Sequence, residues 1–344
     1  MKIQTVLVLP LNYTHLQTGM IQGFQAVFGA DNVGVFDFMC AASRPMSPTT
    51  ASMEQVNREL VALVTRVKPD LVFMQLQDTG VITAAAINAA RAASPATRFV
   101  HWTGDYRPAV SEYLASICRA TDVTFASSVG QLPAFCRAGA PEAVYLQIGV
   151  DWASDVLGVP AWVPPFEVPE VVFCGNHYEN GPWPMGTAQR LAAIRELKGA
   201  GFNIGVVGTG WPSDIPVIGT CHVKQQHHVY NRAKVVLSIS HENTVDRYFS
   251  DRLLIGMASG TPTVARWFEG IDEEFNDGAE ACQHAGHHLL PHYKTEAELV
   301  DLVVELRANE TWCKALGADQ RNFIRVTASW FTRIVENILP VLES

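Results

Sequence analysis

The chain has 344 residues, 48% of them hydrophobic and only 17% charged, enough apolar material for a large core in more than one domain. This balance excludes a disordered or coiled-coil protein. Residues 1–165 hold 10 Lys and Arg against 12 Asp and Glu, and residues 166–344 hold 15 against 22, so the net charge of −9 leaves no basic block to grip a phosphate backbone.

The seven cysteines (Cys40, Cys118, Cys136, Cys174, Cys221, Cys282 and Cys313) are widely spaced, with neither a C-x-x-C pair nor a zinc-like spacing. They read as reduced, mostly buried thiols of a cytoplasmic protein. Residues 1–10 are apolar but short, and Asn12 and His15 follow, which suits a first strand rather than a signal peptide. No apolar run approaches the roughly 20 residues that span a bilayer.

In chain order, β-branched apolar runs predict strands over 3–9, 33–38, 71–76, 99–102, 123–126 and 144–148. Amphipathic helices are expected between them, near 16–28, 52–67, 81–93, 110–119 and 130–138. Such alternation predicts a parallel sheet with helices on both faces. Pro160, Pro164, Pro165 and Pro169 then stiffen the chain, and place a domain boundary near 155–168. The alternation restarts, with strands over 170–174, 204–207, 235–239, 263–265 and 288–290 and a first helix over 187–200. Helices over 297–307, 312–325 and 330–342 close the chain. The expected fold is α/β: an N-terminal Rossmann-like domain over 1–158, a second over 159–325 facing it across a cleft, and a terminal helix over 326–344 that packs back on the first.

Five segments carry candidate chemistry. Asp78 in Gln77-Asp-Thr-Gly80 is placed either to cap a helix starting at Val81 or to touch substrate. In His101-Trp-Thr-Gly-Asp105-Tyr-Arg107, Asp105 is a candidate general base and otherwise a helix N-cap or loop-bracing carboxylate, whereas His101, a second candidate base, reads more readily as a satisfied core residue. Phe173-Cys-Gly-Asn-His177 ends a strand on Gly175 and Asn176, where free backbone N–H groups suit a diphosphate. Gly205-Val-Val-Gly-Thr-Gly210 fails as a dinucleotide fingerprint because Trp211-Pro212 follows, yet Gly208 permits close approach of a ligand. The stretch 240–252 brings Ser240, Arg247, Ser250, Asp251 and Arg252 to a strand-to-helix connection. Ser250 or Asp251 is expected to cap the helix there, Ser250 foremost. An Arg beside a helix N-terminus becomes sensible if a phosphate sits at that end. The histidines His227-His228 and His284…His287-His288…His292 lack partners at a convincing spacing, so no metal is expected.

The order of these features resembles the CgeB/YkvP-like glycosyltransferases of GT-B fold. It comprises Phe173-Cys-Gly-Asn, Arg190, Val229-Tyr230-Asn-Arg-Ala-Lys-Val-Val-Leu-Ser-Ile-Ser240, Ser250-Asp-Arg-Leu, Met257-Ala-Ser-Gly-Thr-Pro, Phe268-Glu-Gly-Ile-Asp-Glu-Glu-Phe275 and Ala328-Ser-Trp-Phe-Thr-Arg-Ile-Val. The match is close over 170–340 and looser before it, through Lys68-Pro-Asp-Leu-Val-Phe and Trp102-Thr-Gly-Asp105.

The resemblance implies a hexosyltransferase with a nucleoside-diphosphate sugar, foremost a UDP-sugar, as donor substrate and no separate cofactor. Arg252, Arg190, Gly175, Asn176, Gly208, Tyr230, Ser240, Arg247, Ser250 and Asp251 would hold the donor. Thr18, Gly19, Asp78 and Arg107 would lie on the acceptor side, with Asp105 as base if the anomeric centre inverts. One position departs from the family: where a Glu follows the Arg by three residues and holds the ribose, this chain has Ile255, leaving Asp251, Asp246 or Glu269 as substitutes. An epimerase or a non-catalytic binding protein of the same fold are the alternatives. The acceptor (glycan, protein, small molecule or hydroxymethylated DNA base) and the oligomeric state stay open.

Overall fold

The computed structural model describes residues 2–12, 17–39, 50–152, 162–179, 181, 184–276 and 288–344. Two compact units emerge: Met1–Gly149 with Trp330–Ser344, and Val150–Ser329.

The first unit is built on a six-stranded sheet of order β2-β1-β3-β4-β5-β6, every pair parallel. Its strands are β1 (Val6–Leu9), β2 (Val33–Val35), β3 (Leu71–Gln75), β4 (Arg98–Thr103), β5 (Val123–Ala126) and β6 (Ala143–Tyr145). Continuous apolar runs rather than alternating ones signal burial on both faces. Within β4, Val100 and Trp102 point to one core and Phe99 to the other. The first core is roofed by α1 (Thr18–Phe28) and by a helical segment over 330–343, the second by α2 (Thr50–Val67), α3 (Ala84–Ala93) and α4 (Glu112–Ala120).

Trp330 meets Trp102 edge-on at 5.3 Å, and Gly23 and Gly149 are bare where its side chain lands. The segment shifts to i→i+5 hydrogen bonding over Arg333–Ile338, just before Pro340, whose missing N–H cannot continue an α-helical ladder.

The second unit repeats the layering with sheet order β12-β11-β10-β7-β8-β9, again all parallel. Its strands are β7 (Val171–Cys174), β8 (Ile204–Val207), β9 (Val217–Gly219), β10 (Val235–Ser238), β11 (Thr263–Arg266) and β12 (His292–Tyr293). Short α5 (Leu132–Arg137) belongs to the first unit; the second holds α6 (Pro184–Gly199), α7 (Gln226–Tyr230), α8 (Asp251–Ala258), α9 (Ile271–Phe275), α10 (Glu296–Ala308) and α11 (Glu310–Thr327).

Strand alternation again decides the packing. Val171 and Phe173 of β7 face the core under α6, α10 and α11, whereas Val172 and Cys174 face Tyr230 and Ile255. Edge strand β9 was not expected, because Val217 is exposed and Pro216 precedes it. The strand expected over 288–290 does not form. Instead Gln320, fully buried on α11, accepts from Thr263 N (2.8 Å) and donates to Thr263 O and Leu289 O (2.9 Å each), so a side chain ties Leu289 down and β12 starts later.

Residues 153–161 of the expected linker lie outside the described residues, as do Cys40, Cys282, His284 and His287. Among the described residues, no helix is long and apolar enough to cross a membrane.

Candidate functional site

Open parallel sheets bind ligands outside the carboxyl ends of their strands, where the strand order reverses. In the second unit that point lies between β7 and β10. Arg190 of α6 occupies it. Its side chain is fully buried, Nε and Nη2 donating to Ile239 O at 3.1 and 3.0 Å and Nη1 to Asn176 O at 3.0 Å. One guanidinium thus joins the residues that follow the two strands, and it lies over the Phe173 ring at 5.5 Å. Burial first, and the nearby Arg252 second, lower its pKa to about 9, so it remains charged at neutral pH.

Helix α6 reaches this position because Gly186 has no side chain; a Cβ there would strike the His241 carbonyl. Asn243 Nδ2 donates to Gln189 Oε1 at 2.8 Å and fixes the same approach. Gly186 and Gln189 carry no motif, and only the packing reveals them.

The exits of β7 and β8 are laced together. Asn176 Oδ1 accepts from Thr209 N (2.9 Å) and Oγ1 (3.1 Å), and Trp211 Nε1 donates to Gly175 O (2.9 Å). A Cβ on Gly208 would collide with the Gly175 carbonyl, which explains the glycine without any ligand. Asn176 therefore shapes the turn through its side-chain oxygen.

Helix α8 begins against the end of β10, where Ser240 Oγ accepts from Ser250 N at 3.1 Å. Ser250 stands at the N-cap position, but its hydroxyl does not cap the helix; Oγ is buried and has no partner among the described residues. Asp251 Oδ1 instead accepts from Arg252 N at 2.9 Å. Arg252 is partly exposed and leans over the turn, its Nε 3.9 Å from where a Cβ on Gly175 would lie. His241 is held neutral, its pKa lowered to about 3 by burial, Arg190 and Arg252. Two guanidinium groups, bare glycine turns and the N-terminus of an eight-residue helix therefore converge on one sheet edge.

Of the other expected donor residues, Tyr230 lies away from this edge and Arg247 sits on the loop that leads into α8. Tyr230 is 1% exposed, beneath the sheet with Cys174 and Ile255, and burial raises its phenol pKa well above the ordinary value. Arg247 has φ 52°, its amide donates to Glu269 O at 2.7 Å, and its guanidinium lies 3.8 Å from Asp246. Ile255, at 3% exposure, points into the same apolar cluster as Tyr230.

In the first unit the order reverses between β1 and β3, and the carboxyl edge there is polar in a different way. Gln75 Oε1 accepts from Leu11 N (3.2 Å), and Gln77 Oε1 from Thr103 Oγ1 (2.8 Å) and Asp105 N (3.3 Å). Asp105 pairs with Arg107 at 3.3 Å across the loop, and the N-cap of α4 is Ser111 instead. Asp78 is no cap either: Thr83 caps α3, and Asp78 Oδ1 accepts from Ser111 Oγ at 2.7 Å. Thr18 and Gly19 form the first turn of α1. His101 is buried as expected but not satisfied, since neither ring nitrogen has a partner among the described residues.

Residues 188–339 match the family model described as Glycosyl transferase-like. Three solved structures are similar over nearly all of both chains. The catalytic domain of starch synthase IV from Arabidopsis thaliana, bound to ADP and acarbose, has a TM-score of 0.67 at 9% identity, covering 100% of this chain and 99% of that one. A glycosyltransferase from Rickettsia africae gives 0.61 at 11% identity, and sucrose-phosphate synthase from Thermosynechococcus elongatus 0.57 at 12%, each covering 99% of this chain and 98% of the other. The chain has the GT-B fold. No curated protein matches it. Within the GT-B fold, the family match begins at α6 and takes in Arg190 and Arg252.

Proposed function

We propose that this protein is a glycosyltransferase of the CgeB/YkvP-like kind, moving a sugar from a nucleoside-diphosphate donor to an acceptor hydroxyl. The Glycosyl transferase-like match and the GT-B neighbours support glycosyl transfer. The observation that carries the donor assignment is the convergence of Arg252, the α8 N-terminus and the Gly175 and Gly208 turns at the β7–β10 reversal. Arg252 would bind the diphosphate oxygens and stabilise the charge that develops as the sugar leaves. Arg190 acts through position: it fixes both strand ends and adds its field from beneath. Ser250 Oγ and the first N–H groups of α8 would complete the phosphate contacts. Asp105 is the candidate base in an inverting reaction.

Ile255 favours a second reading, a non-catalytic carbohydrate-binding or structural protein that keeps the fold, because that position belongs to the core and supplies no carboxylate for a ribose. Thermal-shift titration with UDP-, GDP-, ADP- and TDP-sugars, on wild type and Arg252→Ala, tests the assignment. A donor at a hundredfold excess over its Kd stabilises a protein by about 2.7 kcal/mol. A UDP-sugar is expected to stabilise wild type by at least about 1 kcal/mol more than the variant; no shift with any nucleotide would sink the donor site. Release of UDP only when acceptors are added would then separate transfer from binding alone.

A further inference from the structure

The carboxyl edge of the first sheet holds two glutamines that are almost wholly buried, Gln75 at 3% exposure and Gln77 at 9%. A backbone N–H group orients each side-chain amide. Leu11 N donates to Gln75 Oε1 at 3.2 Å, and Asp105 N to Gln77 Oε1 at 3.3 Å, where Thr103 Oγ1 donates as well. A backbone N–H can only donate, so the oxygen of each amide faces it and the NH2 group turns away. Neither Nε2 has a hydrogen-bond partner among the described residues. Gln77 leaves β3 with φ 50°, a left-handed backbone that a non-glycine residue keeps only where its surroundings hold it. Gly104 gives it room, since a Cβ there would lie 3.2 Å from Gln77 Nε2.

Two uncharged donors are thus fixed at one edge, with carboxylates beside them. Asp78 follows Gln77 in the chain and is exposed, its Oδ1 accepting from Ser111 Oγ at 2.7 Å. Asp105 is tied to Gln77 through its own N–H. Arg107, the one cation of this edge among the described residues, is paired with Asp105 at 3.3 Å.

We infer that the acceptor is an uncharged sugar, bound through its hydroxyl groups by the Nε2 groups of Gln75 and Gln77 and by the carboxylates of Asp78 and Asp105. A hydroxyl donates and accepts at once, so neighbouring hydroxyls satisfy an amide NH2 and a carboxylate side by side. A phosphate oxygen only accepts, and it would bring its charge against two carboxylates with one arginine already paired. The chemistry of this edge therefore sets DNA aside. The assignment rests on the proposed acceptor role of the first unit.

The test presents the full chain to an array of neutral and acidic oligosaccharides, a hydroxymethylcytosine-containing DNA duplex and a peptide rich in Ser and Thr. Neutral oligosaccharides should be retained and the duplex should not. The tightest of them is then titrated into wild type, Gln75→Glu, Gln77→Glu and Asp78→Ala. Glutamate keeps an oxygen for the Leu11 or Asp105 N–H but, when ionised, has no proton to donate. Each variant should bind the oligosaccharide roughly five- to tenfold more weakly. Asp78→Ala changes an exposed side chain, so a loss there is not a failure to fold. Retention of the duplex, the peptide or acidic sugars in place of neutral ones, no retention at all, or undiminished affinity in all three variants overturns the inference. UDP, titrated into the same samples, should bind wild type and variants alike. Failure of wild type to bind UDP would count against the donor site instead; a neutral sugar held by Gln75, Gln77 and Asp78 would then favour the non-catalytic carbohydrate-binding reading.

Discussion

The two sheets share an architecture and differ at their carboxyl edges. The second unit gathers Arg190, Arg252, the α8 N-terminus and bare glycine turns, all suited to an anion. Among the described residues of the first unit, the equivalent edge carries Asn12, Gln75, Gln77, Asp78 and Asp105, with Arg107 already paired to Asp105. Amides and carboxylates suit hydroxyl groups rather than phosphates. The same layered fold thus presents two chemistries, set by a handful of residues just beyond the strand ends.

The sharpest way to separate the units is to break one of them. Trp330 fills the space left by Gly23 and Gly149 in the first core, so Trp330→Ala should cost about 3–5 kcal/mol in that unit. Denaturant unfolding followed by separate probes in each unit should show the first transition move and the second stay. A single unchanged transition would contradict the packing described.

Placing a Glu at position 255, where the CgeB/YkvP-like resemblance leads one to expect it, tests the second core. Ile255→Glu places a carboxylate among Val172, Cys174, Tyr230 and Val236, at a cost of about 3 kcal/mol at neutral pH. The loss should shrink near pH 5 as the carboxyl takes up a proton. Tighter nucleotide binding without destabilisation would show that the side chain reaches a ribose after all.

Acid distinguishes two neutral histidines. His101 under the first sheet and His241 at the second edge both have a pKa lowered to about 3 from an ordinary 6.5, the first by burial alone and the second by burial, Arg190 and Arg252. Below pH 6.5 the unfolded chain binds more protons than the fold. Stability therefore falls as pH drops from 6.5 towards 3, by about 1.4 kcal/mol per pH unit for a group as buried as His101. His101→Leu should flatten that slope in the first unit. In NMR titrations, a bound nucleoside diphosphate should raise the His241 pKa and leave His101 unmoved; an equal response from both would argue against an anion beside Arg190 and Arg252.

Much of this was legible in the sequence. Apolar β-branched runs marked most strands, because strands buried on two faces need no alternation to be recognised. Arg252 stands out as a candidate from the sequence too, since a cation at a helix start conflicts with the helix dipole unless an anion joins it. What stayed hidden depends on contacts distant in sequence. The Arg190 clamp requires knowing that β7 and β10 are neighbours, and Ser250 loses its capping role to a geometry that no local motif records. Gln320 overrides an apolar run by tying down Leu289. His101 has the composition of any core histidine, and only its unpartnered nitrogens set it apart.

The contrast between the edges is tested most directly by calorimetric titration of UDP into wild type, Arg252→Ala and Asp105→Ala. Loss of a charged contact to phosphate is worth about 1.5–3 kcal/mol, so Arg252→Ala should bind roughly 10- to 100-fold more weakly. Asp105→Ala should bind as wild type does. Undiminished affinity in Arg252→Ala, or a comparable loss in Asp105→Ala, would contradict the placement of the donor at the second sheet.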